Sequence, residues 1–223
     1  MRLLGAVLFD LDGLLIDSEP IWFRNEERVM AGIGGPPWRH EDQAACVGGT
    51  LPRTAAYMRA AAGTAVPTAE IERRLLTGMV AGLRSGFPLQ PGADTLLNAL
   101  AAAGVPCGLV SSSYRVLVHA ALAVIGPERF AVSVAGDEVR RPKPDPEPYL
   151  TAARRLAVEP SACVVFEDSP AGVTSAEAAG CMCVAVPDVV PVSATPRRPV
   201  LGSLAEVDLE WLAGLPAELH RAG

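Results

Sequence analysis

Histidine is scarce in this sequence and positive charge is outnumbered. His40, His119 and His220 each stand alone, with no HxxxH or HxH pairing, so a zinc site lacks its usual ligand spacing. Nineteen Lys and Arg face 25 Asp and Glu, for a net charge of −6 and a pI near 5.1. A phosphate backbone would be repelled by such a surface, which argues against a nucleic-acid partner. No apolar stretch approaches the ~20 residues of a membrane span. The opening Met1-Arg2-Leu3-Leu4-Gly5 runs straight into a strand pattern and not a signal-peptide one, so a cytoplasmic protein is expected. The cysteines (Cys46, Cys107, Cys163, Cys181, Cys183) are odd in number and lie mostly in apolar runs, as buried free thiols do. Cys181 and Cys183 are spaced for one face of a strand, not as a CxxC redox pair. With an acidic balance and no apolar surface stripe, a monomer is expected.

What is present is a chain able to bury a sizeable core: 223 residues, 50% hydrophobic, mean hydropathy +0.27, enough for one or two domains. From Leu89 onward, short apolar runs alternate with amphipathic segments, each change marked by glycine or proline. This is the pattern of a parallel sheet with crossover helices. Strands are expected at 3–9, 105–110, 130–134, 162–166 and 181–186, the last as a central strand, with a further short strand after the Pro-rich stretch 187–199. Helices are expected at about 93–103, 115–125, 147–157, 170–179 and 203–213; Gly104, Gly126 and Gly180 follow three of them as C-terminal glycines. Residues 19–86 differ. Apolar positions such as Ile21, Trp22, Val29, Ala55, Tyr57, Met58, Ile71, Leu75, Leu76 and Met79 repeat with helical period and no strand pattern intervenes. The expected division is a core of 1–17 with 89–223 and an inserted helical domain over 18–88.

Asp10-Leu11-Asp12-Gly13 closes the first apolar run, and two carboxylates stranded there are costly unless they hold a cation or do chemistry. Ser111, Lys143, Glu167 and Asp168 also follow predicted strands. In an open parallel sheet those strand ends share one edge, where the ligand crevice lies. Four carboxylates (Asp10, Asp12, Glu167, Asp168) against one lysine leave a net of −3 in that crevice. Two like charges 4 Å apart repel by ~4 kcal/mol at an effective dielectric of 20. An all-oxygen set with no histidine or cysteine selects a hard ion such as Mg²⁺. With the ion, an anionic substrate becomes admissible; Lys143 and the hydroxyl and N–H groups near Ser111 would hold a phosphoryl group.

Taken in order, Asp10-Leu11-Asp12-Gly13, Val110-Ser111-Ser112-Ser113, Lys143 within Arg141-Pro142-Lys143-Pro144, and Glu167-Asp168-Ser169 with Gly172 resemble the four motifs of the haloacid dehalogenase-like hydrolase superfamily. The resemblance covers nearly the whole chain. It implies an α/β fold, a Rossmannoid parallel sheet with helices on both faces plus an α-helical cap. It also implies that Asp10 attacks phosphorus to give an aspartyl-phosphate and that Asp12 serves as general acid and base. Mg²⁺ would be held by Asp10, the Asp12 backbone carbonyl and Asp168, with Glu167 reaching it through water. Ser111 and Ser112 would bind phosphoryl oxygens, and Lys143 would neutralise them and orient Asp10. The second aspartate, Asp12, argues against the dehalogenase branch.

The helical insertion resembles the small cap of the beta-phosphoglucomutase-like subfamily, so substrate reading is expected from residues 19–88. Trp22 stands where the mutases carry a histidine. In Val47-Gly48-Gly49-Thr50-Leu51-Pro52-Arg53 the arginine that grips a second phosphate is missing from its usual place, and Arg53 is a displaced candidate. Tyr114 and Arg115 are candidates to touch the organic part of the substrate. The expected activity is hydrolysis of a small phosphorylated sugar or polyol, with a phosphosugar mutase as the alternative and a non-catalytic binding protein as a third reading.

Overall fold

The computed structural model describes residues 4–46 and 50–219, with side chains to residue 215. The expected strand start at Leu3, the Val47-Gly48-Gly49 segment and His220 lie outside the described residues. The chain divides into two compact units, 1–17 with 87–223 and Ser18–Gly86.

The first unit is a five-stranded sheet. Strands β1 (Ala6–Phe9), β2 (Cys107–Val110), β3 (Val132–Val134), β4 (Cys163–Glu167) and β5 (Met182–Ala185) run parallel in the order β3-β2-β1-β4-β5. β1, β2 and β4 are buried along their whole length, which is why they read as continuous apolar runs and not as alternating ones. β1 sits in the middle, and its chain neighbours leave on opposite sides: β2 and β3 one way, β4 and β5 the other. That reversal opens the crevice past Phe9 and Phe166, which pair in register and stack with ring centroids 5.6 Å apart.

Helices of this unit are α5 (Ala93–Ala102), α6 (Arg115–Ile125), α7 (Glu147–Leu156), α8 (Pro170–Ala178) and α9 (Leu209–Leu219). α7 carries Tyr149, Ala152 and Ala153 into one core with Leu8, Val110, Val165 and Cys183, while α8 adds Val173 and Ala176. Burying each larger side chain contributes roughly 1.5–3 kcal/mol. α8 begins with Pro170 after Ser169, whose hydroxyl accepts from Gly172 N at 3.1 Å, a capped start with no unmet donor at the proline. All five cysteines are free and buried.

Three expectations need correction. β5 is an outer strand, not a central one. Its buried, apolar character comes from α8 and from the segment after Pro199: Ala185 N donates to Pro199 O and Leu201 N to Ala185 O, both at 2.9 Å. That segment forms a single bridge, Ala185 with Val200, in place of the expected last strand. The expected 203–213 helix is split because Ser203 caps a 3-10 turn, Leu204–Glu206, and Asp208 then accepts from Trp211 N at 2.7 Å to start α9.

The second unit consists of α1 (Glu19–Gly32), α2 (His40–Cys46), α3 (Leu51–Ala62) and α4 (Thr68–Arg84), with no strand among its described residues. Its core joins Val29, Met30, Ile33 and Trp38 to Ala55, Met58, Ile71 and Leu75, while Tyr57 is exposed and Trp22 and Leu76 are half-buried. Buried Asn25 donates to Leu75 O at 2.8 Å, and Gly78 leaves the room its amide occupies. Buried Glu26 accepts from Trp38 Nε1 at 3.0 Å; burial pushes its carboxyl up to about 7. Among the described residues no helix is long and apolar enough to cross a membrane.

Candidate active site

The rim of the sheet is organised by Lys143. Its Nζ donates to Asp10 Oδ1 at 2.6 Å, to Glu167 Oε1 at 2.5 Å and to Val110 O at 2.8 Å, so the ends of β1, β2 and β4 meet on one ammonium. An ammonium has three donors, and all three are taken. The side chains are 3% (Lys143), 9% (Asp10) and 0% (Glu167) exposed, so these contacts act in a low dielectric. Burial alone would lower the lysine, but Asp10 and Glu167 outweigh it and hold Lys143 above its ordinary range. The loop delivering Lys143 is pinned on both sides. Ser175 of α8 donates to Asp145 O at 2.6 Å, and Glu147 accepts from Arg140 N and Arg141 N at 3.0 and 3.1 Å.

Glu167 sits against the start of α8. Its Oε1 also receives the Tyr149 hydroxyl at 2.5 Å, and Oε2 receives Ser169 Oγ at 3.1 Å. A Cβ at Gly172 would fall 1.9–2.0 Å from the Glu167 carboxylate, so this helical glycine makes the space the acid fills. With both oxygens engaged by protein donors, Glu167 serves the lysine first.

Asp168, half-buried, comes next. Asp10, Glu167 and Asp168 each offer an oxygen within 4.8 Å of the others. Burial, reinforced by Asp10 and Glu167, pushes Asp168 up to about 9. Asp10 is likewise raised to about 7 by burial, against the pull of Lys143. Burial thus works against the charge of Asp10 and Asp168 despite the lysine, and a divalent cation would offset it. Gly13 supports that fit: at φ +84° it has no Cβ, and one placed there would stand 2.4 Å from Asp168 Oδ2. The turn is held by Gly13 N to Ile16 O at 2.9 Å and Gln90 Nε2 to Gly13 O at 3.1 Å. The donor set is oxygen only, which suits a hard ion.

Asp12 is held apart from the lysine. Ser113 Oγ donates to its Oδ2 at 2.8 Å, Ser111 Oγ stands 3.4 Å from the same oxygen, and Ser111 Oγ accepts from Ser113 N at 2.9 Å. Asp10, Asp12, Lys143, Ser111, Glu167 and Asp168 are thus brought together. Ser112 points outward and is exposed, and Tyr114 is the half-buried N-cap position of α6. Arg115 is engaged elsewhere: its guanidinium pairs with Glu138 and donates to Ser133 Oγ at 2.8 Å and Ser133 O at 3.2 Å, beside β3. Trp22 and Arg53 belong to the helical unit; Arg53 is exposed, with Nη2 3.4 Å from Ala45 O.

Two members of the site escaped sequence reasoning. Ser113, and not Ser112, shares a side with Ser111, as the two-residue alternation past a strand end implies. Tyr149 left the weaker signal of a tyrosine among the inward residues of α7, whose hydroxyl needs a partner. Lys143, placed at the site from the sequence, carried a further mark that went unused: it is the only lysine in the chain, against 18 arginines.

A parallel sheet whose switch point gathers acids around one buried lysine defines a doubly wound α/β enzyme. The sequence profile of the haloacid dehalogenase-like hydrolases matches residues 7–186, and the chain belongs to that family. It stands among the family's phosphoric monoester hydrolases. It is 37% identical over 180 residues to hexitol phosphatase A of Escherichia coli (strain K12), covering 80% of this chain and 81% of that one. Hexitol phosphatase B of the same strain is 30% identical over 219 residues, with 97% and 96% covered. Among solved structures, CbbY from Rhodobacter sphaeroides in complex with phosphate superposes with a TM-score of 0.83 at 30% identity, covering 96% of this chain and 100% of that one.

Proposed function

We propose that this protein is a Mg²⁺-dependent phosphatase that hydrolyses a small phosphorylated sugar or polyol through an aspartyl-phosphate on Asp10. The observation that carries the reading is the separation of two acids by their partners. Asp10 is bound to a lysine and lies in the carboxylate cluster, whereas Asp12 is bound to serine hydroxyls. The first arrangement suits a nucleophile, the second a group that exchanges protons.

In the first step the Asp10 carboxylate attacks phosphorus, and the leaving alkoxide takes its proton from Asp12. In the second, Asp12 removes a proton from water, which attacks phosphorus, freeing phosphate and restoring Asp10. Lys143 orients Asp10 and stabilises its ionised form; Ser111 turns its hydroxyl from Asp12 to a phosphoryl oxygen. Asp10, Asp168 and the backbone carbonyl of Asp12 would hold the Mg²⁺, whose charge offsets that of the phosphoryl oxygens. The helical residues 18–88, inserted directly after the Asp10 turn, are assigned to substrate choice, with Trp22 and Arg53 as candidates.

The hexitol phosphatase relatives favour a polyol or sugar phosphate. The test is phosphate release from a panel of hexitol, sugar, glycolate and nucleotide phosphates, with and without Mg²⁺. Mg²⁺-dependent release from the hexitol or sugar esters is expected. Conversion of a sugar 1-phosphate to its 6-phosphate in the presence of a trace of bisphosphate, without free phosphate, would make the protein a mutase instead.

A further inference from the structure

We infer that Tyr149 is a positioning residue for the reaction: through Glu167 it fixes where the chain's single lysine stands, and so which oxygen of Asp10 is left to attack. The mechanistic half of this rests on the phosphatase reading; the positional half does not.

Lys143 can orient Asp10 only if its own ammonium is fixed. A lysine stem has four rotatable bonds, and the head would follow whichever acid attracted it more. Two of its three partners are exceptionally constrained. Val110 O belongs to a buried strand, and Glu167 is fully buried. What holds Glu167 is the Tyr149 hydroxyl on Oε1 at 2.5 Å, with Ser169 on Oε2 and the vacant Cβ space of Gly172 behind it. Tyr149 itself has 0% exposure and is locked in the α7 core, so its hydroxyl is a fixed point.

The ring adds a second contact. Lys143 Nζ lies 5.1 Å from the Tyr149 ring centroid, a distance at which the π face attracts a cation. One side chain therefore meets the lysine directly through its ring and indirectly through the acid. Sharing Glu167 Oε1 between a phenol and an ammonium also limits how strongly that acid draws the lysine away from Asp10. Without the hydroxyl, Glu167 Oε1 has Lys143 as its remaining partner, and the ammonium shifts toward it.

The lone lysine makes the test direct. Protein grown with ¹⁵N-lysine contains one labelled side-chain amine, so its Nζ resonance reports on Lys143 alone, whether or not the enzyme turns over. In the parent, slow proton exchange and a ring-shifted ammonium signal are expected. Tyr149→Phe keeps the ring and removes the hydroxyl. It should move the Nζ signal and speed its exchange, and lower kcat by about 10- to 100-fold, the range found when a hydrogen-bond partner behind a metal-site ligand is lost. KM should stay within about twofold, because substrate is not touched. Tyr149→Leu should also abolish the ring shift. Should these variants fail to fold, 3-fluorotyrosine incorporation perturbs the same hydrogen bond at unchanged shape and should move the same signal. An Nζ signal and a kcat indifferent to Tyr149→Phe, or to the fluorinated ring, would reduce Tyr149 to core filling and overturn the inference. A displaced Nζ signal in a protein with no phosphatase activity would uphold the positioning and overturn only the phosphatase reading.

Discussion

Replacing Lys143 with methionine removes the one cation from a buried triad while keeping most of the stem's volume. Asp10 and Glu167 are then left facing each other, with oxygens within 4.8 Å. At that separation and an effective dielectric of 20, two full charges would repel by ~3.5 kcal/mol, an upper bound because burial already favours the protonated form of Asp10. Independent experience with buried pairs stripped of one partner puts the loss at about 3–5 kcal/mol. That is a large share of a domain's usual stability of about 5–15 kcal/mol. Urea unfolding followed by circular dichroism at neutral pH, compared with the parent, measures it. The decisive companion is Lys143→Met with Glu167→Gln. Removing the second charge takes away the repulsion, so the double variant should recover at least about 1 kcal/mol over the single one. A loss below about 1 kcal/mol in Lys143→Met, or a double variant no more stable than the single, would refute the view that this ammonium holds the rim together.

Metal removal gives a signed pH dependence. Burial raises the Asp10 carboxyl from its ordinary 3.8 to about 7 in the folded chain, so between those values the folded chain binds more protons than the unfolded one. Stability of chelator-treated protein should therefore fall by a few kcal/mol as pH rises through this window. Asp168 and Glu26, also raised, act in the same direction. Mg²⁺ should restore more melting temperature at pH 8 than at pH 5, and a chelated protein that grows more stable from pH 5 to 8 would contradict this. Gly172→Ala puts a methyl into the Glu167 carboxylate, so about 1–3 kcal/mol of stability should be lost in urea together with much of kcat. Parent-like values for both would show that Glu167 has room to move.

The strand ends were legible in the sequence because apolar runs stopped at polar residues and glycine or proline marked each change. Asp10, Ser111, Glu167 and Asp168 could be placed at a rim from that pattern alone. That β1 and β4 are neighbours was not legible; it is a tertiary fact, and it is what brings Asp10 beside Glu167. The outer position of β5 was hidden for a related reason. Residues 199–201 and α8 cover it, so it reads as buried although it has one strand neighbour. Ser113 was passed over for Ser112 because adjacency in sequence is not adjacency on a face. Arg115 could not be assigned from sequence, since its partners Glu138 and Ser133 come from segments 18–23 residues away.

The central claim is covalent: phosphorus passes through Asp10. Rapid acid quenching after mixing with a ³²P-labelled hexitol or sugar phosphate that the enzyme hydrolyses should leave label on the protein, labile to hydroxylamine and located in the peptide carrying Asp10. Asp10→Asn should fold, show no label and show no turnover. Steady hydrolysis without any labelled protein, or an Asp10→Asn variant still working within about tenfold of the parent, would contradict it.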